Sequence, residues 1–150
     1  LPTATLFTDI IVGFTGETEE QFERTREAMR EFQYNMAYIA MYSPRPGARS
    51  YRWKDDIPHD EKKRRFHELS GELKTMSYAY NRSLIGSTVR VLVSSRDRDR
   101  RYLSGRTEGR IIVRFASEND DLIGSFVDVK ITEAADMSVE GELERVPAVV

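Results

Sequence analysis

Residues 5–13, TLFTDIIVG, and residues 36–42, MAYIAMY, are two apolar segments separated by a polar stretch of helical character. The first segment is rich in β-branched side chains and predicts a strand buried on both faces, as in a parallel sheet. Between the two segments, Thr18 and Gln21 fit a capping box at the start of a helix. The pattern therefore predicts a β-α-β unit with a right-handed crossover.

The chain after this unit changes from helical to strand periodicity. A loop with prolines and glycine at residues 43–57 precedes a predicted helix that begins at Pro58 and extends to about Asn81. Apolar and polar residues then alternate in short segments separated by glycine-containing turns. The predicted strands are residues 87–94, 102–107, 110–115, 125–132 and 137–143. Five such strands predict a small OB-like barrel.

The predicted fold class is α+β, in two domains. Residues 1–83 predict a partial α/β structure, in which a β-α-β unit is followed by a long helix. Residues 84–150 predict a five-stranded, OB-like antiparallel β-barrel. The chain begins at Leu1, without Met and beside a predicted strand, and we therefore expect it to be part of a longer protein.

Composition excludes several classes of protein. The 150 residues contain 23 Lys and Arg against 25 Asp and Glu, a net charge of −2, which excludes a globally basic nucleic-acid binder but allows local basic patches. Hydrophobic residues make up 39%, enough for a core and too many for a disordered chain. The sequence has no long apolar run and no basic region before its first segment. We therefore expect no membrane partner and no signal peptide.

The chain contains no cysteine and only two histidines, His59 and His67. It therefore forms no disulfide, offers no thiolate nucleophile and cannot hold zinc or an iron–sulfur cluster through cysteine. We expect no metal site and no catalytic residue in this chain.

Several segments resemble one family in its own order along the chain. TDIIVGFTGETEEQF at residues 8–22 and YSPRPGARS at residues 42–50 resemble the end of the radical-SAM barrel in methylthiotransferases. The TRAM domain that follows this barrel in the family is similar to LIGSTVRVLV (84–93), LSGRTEGRIIVRF (103–115), LIGSFVDVKITEA (122–134) and MSVEGEL (137–143). The resemblance is closest to the MiaB-type tRNA enzymes. Two positions depart from the family pattern, since Thr15 replaces a usual proline and Ala48 a frequent threonine.

The resemblance implies a cytoplasmic enzyme that adds a methylthio group to N6-isopentenyladenosine next to the anticodon. Such enzymes use S-adenosylmethionine and two 4Fe–4S clusters, one of them on a C-x-x-x-C-x-x-C motif that precedes the segments seen here. Because this chain has no cysteine, we expect it to bind no cofactor and to have no activity alone. The implied partner is the anticodon arm of tRNA. The sister enzyme that acts on a ribosomal protein is an alternative.

The resemblance gives the turn after the first strand as a candidate for cofactor binding, through Gly13, Gly16 and Glu17. Backbone amides there can approach S-adenosylmethionine, or the turn is only a tight, capped connection from strand to helix. Asp9 lies within the apolar first segment, where a carboxylate needs a partner. It is either a ligand group inside the parent barrel or a structurally paired acid.

Arginines supply the candidate RNA-binding residues. These are Arg45, Arg96, Arg98, Arg100, Arg101, Arg106, Arg110 and Arg114. Residues 96–114 hold seven arginines against three acids, a local charge of +4. Taken alone, the alternating charges favour a solvated, salt-bridged surface. The resemblance favours RNA contact instead, above all for Arg106 and Arg110. Tyr102 and Phe115 are the candidate aromatic residues, with a place in the core as the alternative for Phe115.

Other features allow alternative interpretations. Arg45 lies between two prolines, where it either holds an anion or belongs to a covering loop. The four cations at residues 62–65 predict a solvated helix face. A non-catalytic module that binds RNA or protein is the alternative function, and the slightly acidic total charge favours a protein partner. We also expect self-association, since a barrel reduced to its last strands leaves open edges and an exposed apolar face.

Overall fold

The computed structural model describes residues 4–145, and the side chains of residues 4–144. The residues pack into two compact units. One unit comprises residues 6–76, and the other comprises residues 77–145 together with residues 4 and 5. The predicted domain division after residue 83 remains a prediction. Among residues 4–145, no helix has the length and apolar character needed to cross a bilayer.

The first unit contains the expected β-α-β arrangement. Its elements are β1 (Phe7–Val12), α1 (Glu19–Phe32), β2 (Met36–Met41), a 3-10 turn (Arg49–Arg52) and the first part of α2 (His59–Ser83). The two strands pair in parallel, with Phe7 opposite Met36 and Val12 opposite Met41. The predicted capping box starts α1, because the Thr18 hydroxyl accepts from Gln21 N at 3.2 Å and the Gln21 side chain accepts from Thr18 N at 2.9 Å.

The two-stranded sheet is covered on one face only. Val12 and Ala37 pack there against Phe22 and Met29 of α1 and against Leu69 of α2. The opposite face is open. The prediction of burial on both faces is therefore wrong for the described residues, because both helices pack on the same side.

The second unit is a closed five-stranded barrel. Its strands are β3 (Thr88–Arg96), β4 (Tyr102–Thr107), β5 (Ile112–Ala116), β6 (Phe126–Ala134) and β7 (Ser138–Arg145), in the order β3-β4-β5-β7-β6. The α+β class and the OB-like barrel are confirmed. The pairing is mixed, however, because β5 and β7 run parallel. A closed ring with an odd number of strands cannot alternate in direction throughout, so one parallel pair is unavoidable.

Inward-facing residues of the alternating strands form the barrel core. Val91, Leu103, Val113, Phe115 and Val129 are among those that are fully buried. Phe115 is therefore a core residue, which was the alternative for it, and not an exposed aromatic that could contact RNA.

Candidate nucleic-acid interface and the loop after the first strand

Six of the seven predicted barrel arginines form two groups and not one patch, and the seventh, Arg114, lies on β5. Arg96, Arg98, Arg100 and Arg101 lie at the β3–β4 connection, whereas Arg106 and Arg110 lie at the β4–β5 connection. The six residues of β4 separate these two connections. At about 3.3 Å per residue the two ends of the strand are about 20 Å apart. The arginines therefore offer two separate cationic positions along the barrel.

Three of the predicted arginines take part in ion pairs. Arg96 donates from Nε to Asp120 at 2.7 Å, and Arg114 donates from Nε to Asp97 at 3.0 Å. Arg101 pairs with the aspartate two residues before it, at 2.6 Å. The interpretation as a salt-bridged surface describes these three side chains, whose charge is already compensated within the barrel.

The other four predicted arginines of the barrel are exposed. Arg98, Arg100, Arg106 and Arg110 form no ion pair with any side chain among residues 4–144. Arg110 has a left-handed backbone, with φ of 60°, in the tight turn where its N–H donates to Thr107 O at 2.9 Å. A guanidinium without a carboxylate partner is available for a phosphate, so these four remain the candidates for contact with RNA.

The structure adds residues that the sequence did not single out. Arg90 lies over the ring of Phe126, with its guanidinium carbon 4.9 Å from the ring centroid. Leu92 occupies the outer face of β3 two residues further on, and the side chains of Leu92 and Phe126 are exposed. The alternation of β3 predicts that Arg90 and Leu92 share one face of the strand. Phe126 lies beside them because of the register between β3 and β6, and no local sequence pattern predicts that register.

The side chain of Tyr102, a candidate for base stacking, already has partners within the barrel. The Arg114 guanidinium lies 4.8 Å from its ring centroid. A hydrogen bond from the Tyr102 hydroxyl to the Glu140 carboxylate raises the pKa of this phenol. Glu142 and Glu144 follow Glu140 on the outer face of β7 and are exposed. The barrel surface is therefore acidic along β7 and basic around β4.

Two backbone amides of the loop after β1 donate to carboxylates. Gly13 N donates to Glu17 Oε2 at 2.6 Å, and Gly16 N donates to Asp56 at 2.9 Å. Glu17 is also paired with Arg65, at 2.6 Å. Asp9 lies apart from these residues, exposed on the open face of the two-stranded sheet. The structure thus groups Gly13, Gly16 and Glu17 in one loop and places Asp9 on β1.

Two of the four consecutive cations on α2 are buried beneath this loop. The Lys62 ammonium donates to Asp55 at 2.6 Å and to the Tyr42 carbonyl at 3.2 Å. Arg65 is buried and binds Glu17. The prediction of a solvated face is wrong for these two residues, because a run of four cations points to all sides of a helix and one side here faces the loop.

Arg45 is exposed at the edge of a small cleft of about 250 Å³. Phe14 and Tyr42 line the same cleft, with their ring centroids 4.7 Å apart. Trp53 packs edge-on against Phe14 at 5.8 Å. Arg45 has no ion pair among the side chains of residues 4–144, so its role remains a prediction.

The residues present do not fit an iron–sulfur cluster. Such clusters are held by cysteine thiolates, and the sequence contains no cysteine. Within residues 4–145, no group of three or more His, Asp or Glu side chains is arranged to hold a metal ion.

The barrel corresponds to a known domain family. The sequence model of the TRAM domain matches residues 82–143, from the last residues of α2 into β7. The fold and this match define a protein that carries a TRAM domain.

Curated relatives extend the similarity to nearly the whole chain. The chain is 38% identical to the tRNA-2-methylthio-N(6)-dimethylallyladenosine synthase of Cronobacter sakazakii, over 96% of the chain and 30% of that relative. For the synthases of the same name from Dictyoglomus thermophilum and Pseudomonas paraeruginosa, the identities are 43% and 39%. Those alignments cover 97% and 95% of the chain, and 33% and 32% of the relatives.

The chain is similar to the C-terminal part of these tRNA methylthiotransferases, which confirms the resemblance. It spans about a third of the length of the curated relatives it matches.

Proposed function

We propose that this chain is the RNA-binding C-terminal part of a tRNA methylthiotransferase, and that its barrel binds the anticodon arm of tRNA. One observation carries the proposal. The barrel that matches the TRAM domain has five exposed arginines, at positions 90, 98, 100, 106 and 110, without an ion-pair partner among the described side chains. Phosphate contacts through arginine dominate the affinity of proteins for nucleic acids.

The parent enzyme would add a methylthio group to N6-isopentenyladenosine next to the anticodon, in the cytoplasm. Residues 1–83 would form the end of its radical-SAM barrel, and residues 84–150 its RNA-binding domain. S-adenosylmethionine and two 4Fe–4S clusters would supply the chemistry. Since this chain has no cysteine, the cluster ligands would lie outside it, and the chain alone would be inactive.

The four candidate cofactor-binding residues have different roles in this proposal. The amides of Gly13 and Gly16 and the carboxylate of Glu17 already have partners within their unit, so their role would be to hold the loop in shape. Asp9, exposed on the open face of β1, would be the one of the four whose side chain is available to S-adenosylmethionine.

Titration of a labelled anticodon stem-loop against the full chain, followed by fluorescence anisotropy, tests RNA binding. We expect a Kd of about 10⁻⁴ to 10⁻⁶ M that weakens steeply as salt is raised, because phosphate contacts release counterions. Charge reversal of Arg106 and Arg110 to Glu should abolish binding.

The matched control reverses two cations of the first unit, Arg24 and Lys74, which are exposed and produce the same change in net charge. This control variant should keep most of the affinity. Absence of binding by the unmodified chain at low salt would refute the proposal. Equal losses in both variants would show a general charge effect in place of a binding surface.

A further inference from the structure

We propose that the outer face of the barrel carries a stacking platform for one unpaired nucleotide of the RNA, formed by Phe126 of β6, Leu92 of β3 and Arg106 of β4, with Arg90 beside them. The proposal rests on the proposed function, that the barrel binds RNA. It assigns the aromatic contact to strands β6, β3 and β4. In many OB-like barrels the second and third strands, here β4 and β5, carry the main binding face.

The strand register places these side chains in one row. Leu92 is directly opposite Phe126 in the β3–β6 pair and directly opposite Arg106 in the β3–β4 pair. Neighbouring strands are about 4.8 Å apart, so the row extends over about 10 Å from Phe126 to Arg106. It therefore presents an aromatic ring, an aliphatic side chain and a cation in sequence across the sheet.

The row is unusually apolar for an outer barrel face. Phe126 is 50% exposed and Leu92 is 44% exposed, whereas the valines next to them along the chain, Val91, Val93 and Val127, are buried. The barrel core is filled without these two side chains. Their apolar surface is thus available to a ligand.

Arg90 adds a planar, positively charged group to the platform. Asp128 is the register partner of Arg90 on β6, yet the two form no ion pair, and the guanidinium lies over the Phe126 ring at 4.9 Å. A guanidinium plane beside an aromatic ring offers two flat surfaces on which a base can stack, and its charge favours a nearby phosphate. Stacking of this kind requires an unpaired base, because paired bases expose no face to a side chain.

Charge complementarity selects RNA as the occupant. Arg90 and Arg106 form no ion pair with any side chain of residues 4–144. The outer face of β7 presents the carboxylates of Glu140, Glu142 and Glu144, which repel phosphate. On the β4–β5 face the ring of Tyr102 lies under Arg114, whose charge is already compensated by Asp97. The platform therefore combines an exposed ring with uncompensated positive charge.

The test measures binding of the full chain to a stem-loop and to a duplex of the same stem, with 2-aminopurine at one loop position. Phe126→Leu keeps an apolar side chain at this position and removes the stacking ring. We expect it to weaken stem-loop binding about ten-fold, a typical loss for one stacked base. It should also remove the change in 2-aminopurine fluorescence and leave duplex binding unchanged. Phe32→Leu is the matched control, since Phe32 is also 50% exposed and lies in the first unit.

Arg90→Gln is the second variant, with Arg24→Gln as its control. It should weaken stem-loop binding in the same direction as Phe126→Leu, and circular dichroism should show both variants folded. Wild-type affinity in both platform variants would overturn the platform while leaving RNA binding by the barrel intact. A loss of self-association in Phe126→Leu with unchanged RNA affinity would also overturn it. Absence of RNA binding by the unmodified chain would instead refute the proposed function, and the platform with it.

Discussion

At the residue scale, Gly13 and Lys62 determine the shape of the loop after β1. Gly13 adopts a left-handed backbone, with φ of 68°, and a Cβ at this position would overlap the side-chain carbons of Lys62. The buried ammonium of Lys62 is fixed in turn by Asp55 and the Tyr42 carbonyl. The glycine is therefore required both by its conformation and by the close approach of the lysine.

Gly13→Ala should destabilise the first unit more than Gly16→Ala. Gly16 also has a left-handed backbone, with φ of 80°, but nothing lies within 4 Å of its missing Cβ. We expect a loss of about 1 kcal/mol at Gly16 from backbone strain alone. At Gly13, strain and overlap together should cost about 2–4 kcal/mol. Trp53, the only tryptophan, lies in this unit, so urea titrations followed by its fluorescence measure both losses. Equal losses would contradict the role assigned to Lys62.

At the scale of elements, ion pairs connect α1 with α2. Arg26 and Arg30 of α1 both donate to Glu72 of α2, at 2.7 and 2.6 Å. Arg64 of α2 donates to Glu19 of α1 at 2.6 Å. These pairs lie beside the apolar contact between the two helices, and they keep the helices in register on one face of the sheet.

The stability of the first unit should fall in acid. Hydrogen bonds from Arg64, and to a smaller extent from Arg65, lower the pKa of Glu61 from 4.5 to about 2, against the opposing effect of burial. Because the pKa of Glu61 is lower in the folded state than in the unfolded state, ionised Glu61 stabilises the folded state fully above about pH 4.5. This stabilisation is lost as the pH falls towards about 2.

Glu61→Gln should therefore lower the urea midpoint of Trp53 fluorescence at pH 7 and flatten its decline between pH 4.5 and pH 2. The control is Glu20→Gln, which removes an exposed pair with Arg24 and should cost well under 1 kcal/mol. An unchanged acid transition in Glu61→Gln would show that other carboxylates control it.

Sequence patterns predicted the elements better than the directions of their side chains. The capping box and the alternation of the barrel strands are local signals, and both elements form as expected. Burial of Lys62 depends on an aspartate seven residues earlier and on a loop from another element, which no local pattern encodes. The outward position of Phe126 follows from the strand register, and alternation alone does not say which face is inside.

At the scale of the whole molecule, the open face of the two-stranded sheet should drive association. Ile11 and Tyr38 are 57% and 68% exposed there, and each of the two strands has an unpaired edge within the described residues. Apolar faces and free edges favour contact between copies. Light scattering should show a mass that rises with concentration, and Ile11→Lys together with Tyr38→Lys should reduce this rise. A constant monomer mass at high concentration would contradict the expectation.

The strand order of the barrel also has a consequence during synthesis. β7 is the last of the five barrel strands in sequence, yet it fills the gap between β5 and β6 and hydrogen-bonds to both. While the ribosome still holds residues 138–145, the emerging chain can form only an open sheet of four strands, with β5 and β6 as free edges. The barrel therefore closes after translation of its last strand, and until then its nascent edges need protection from neighbouring chains.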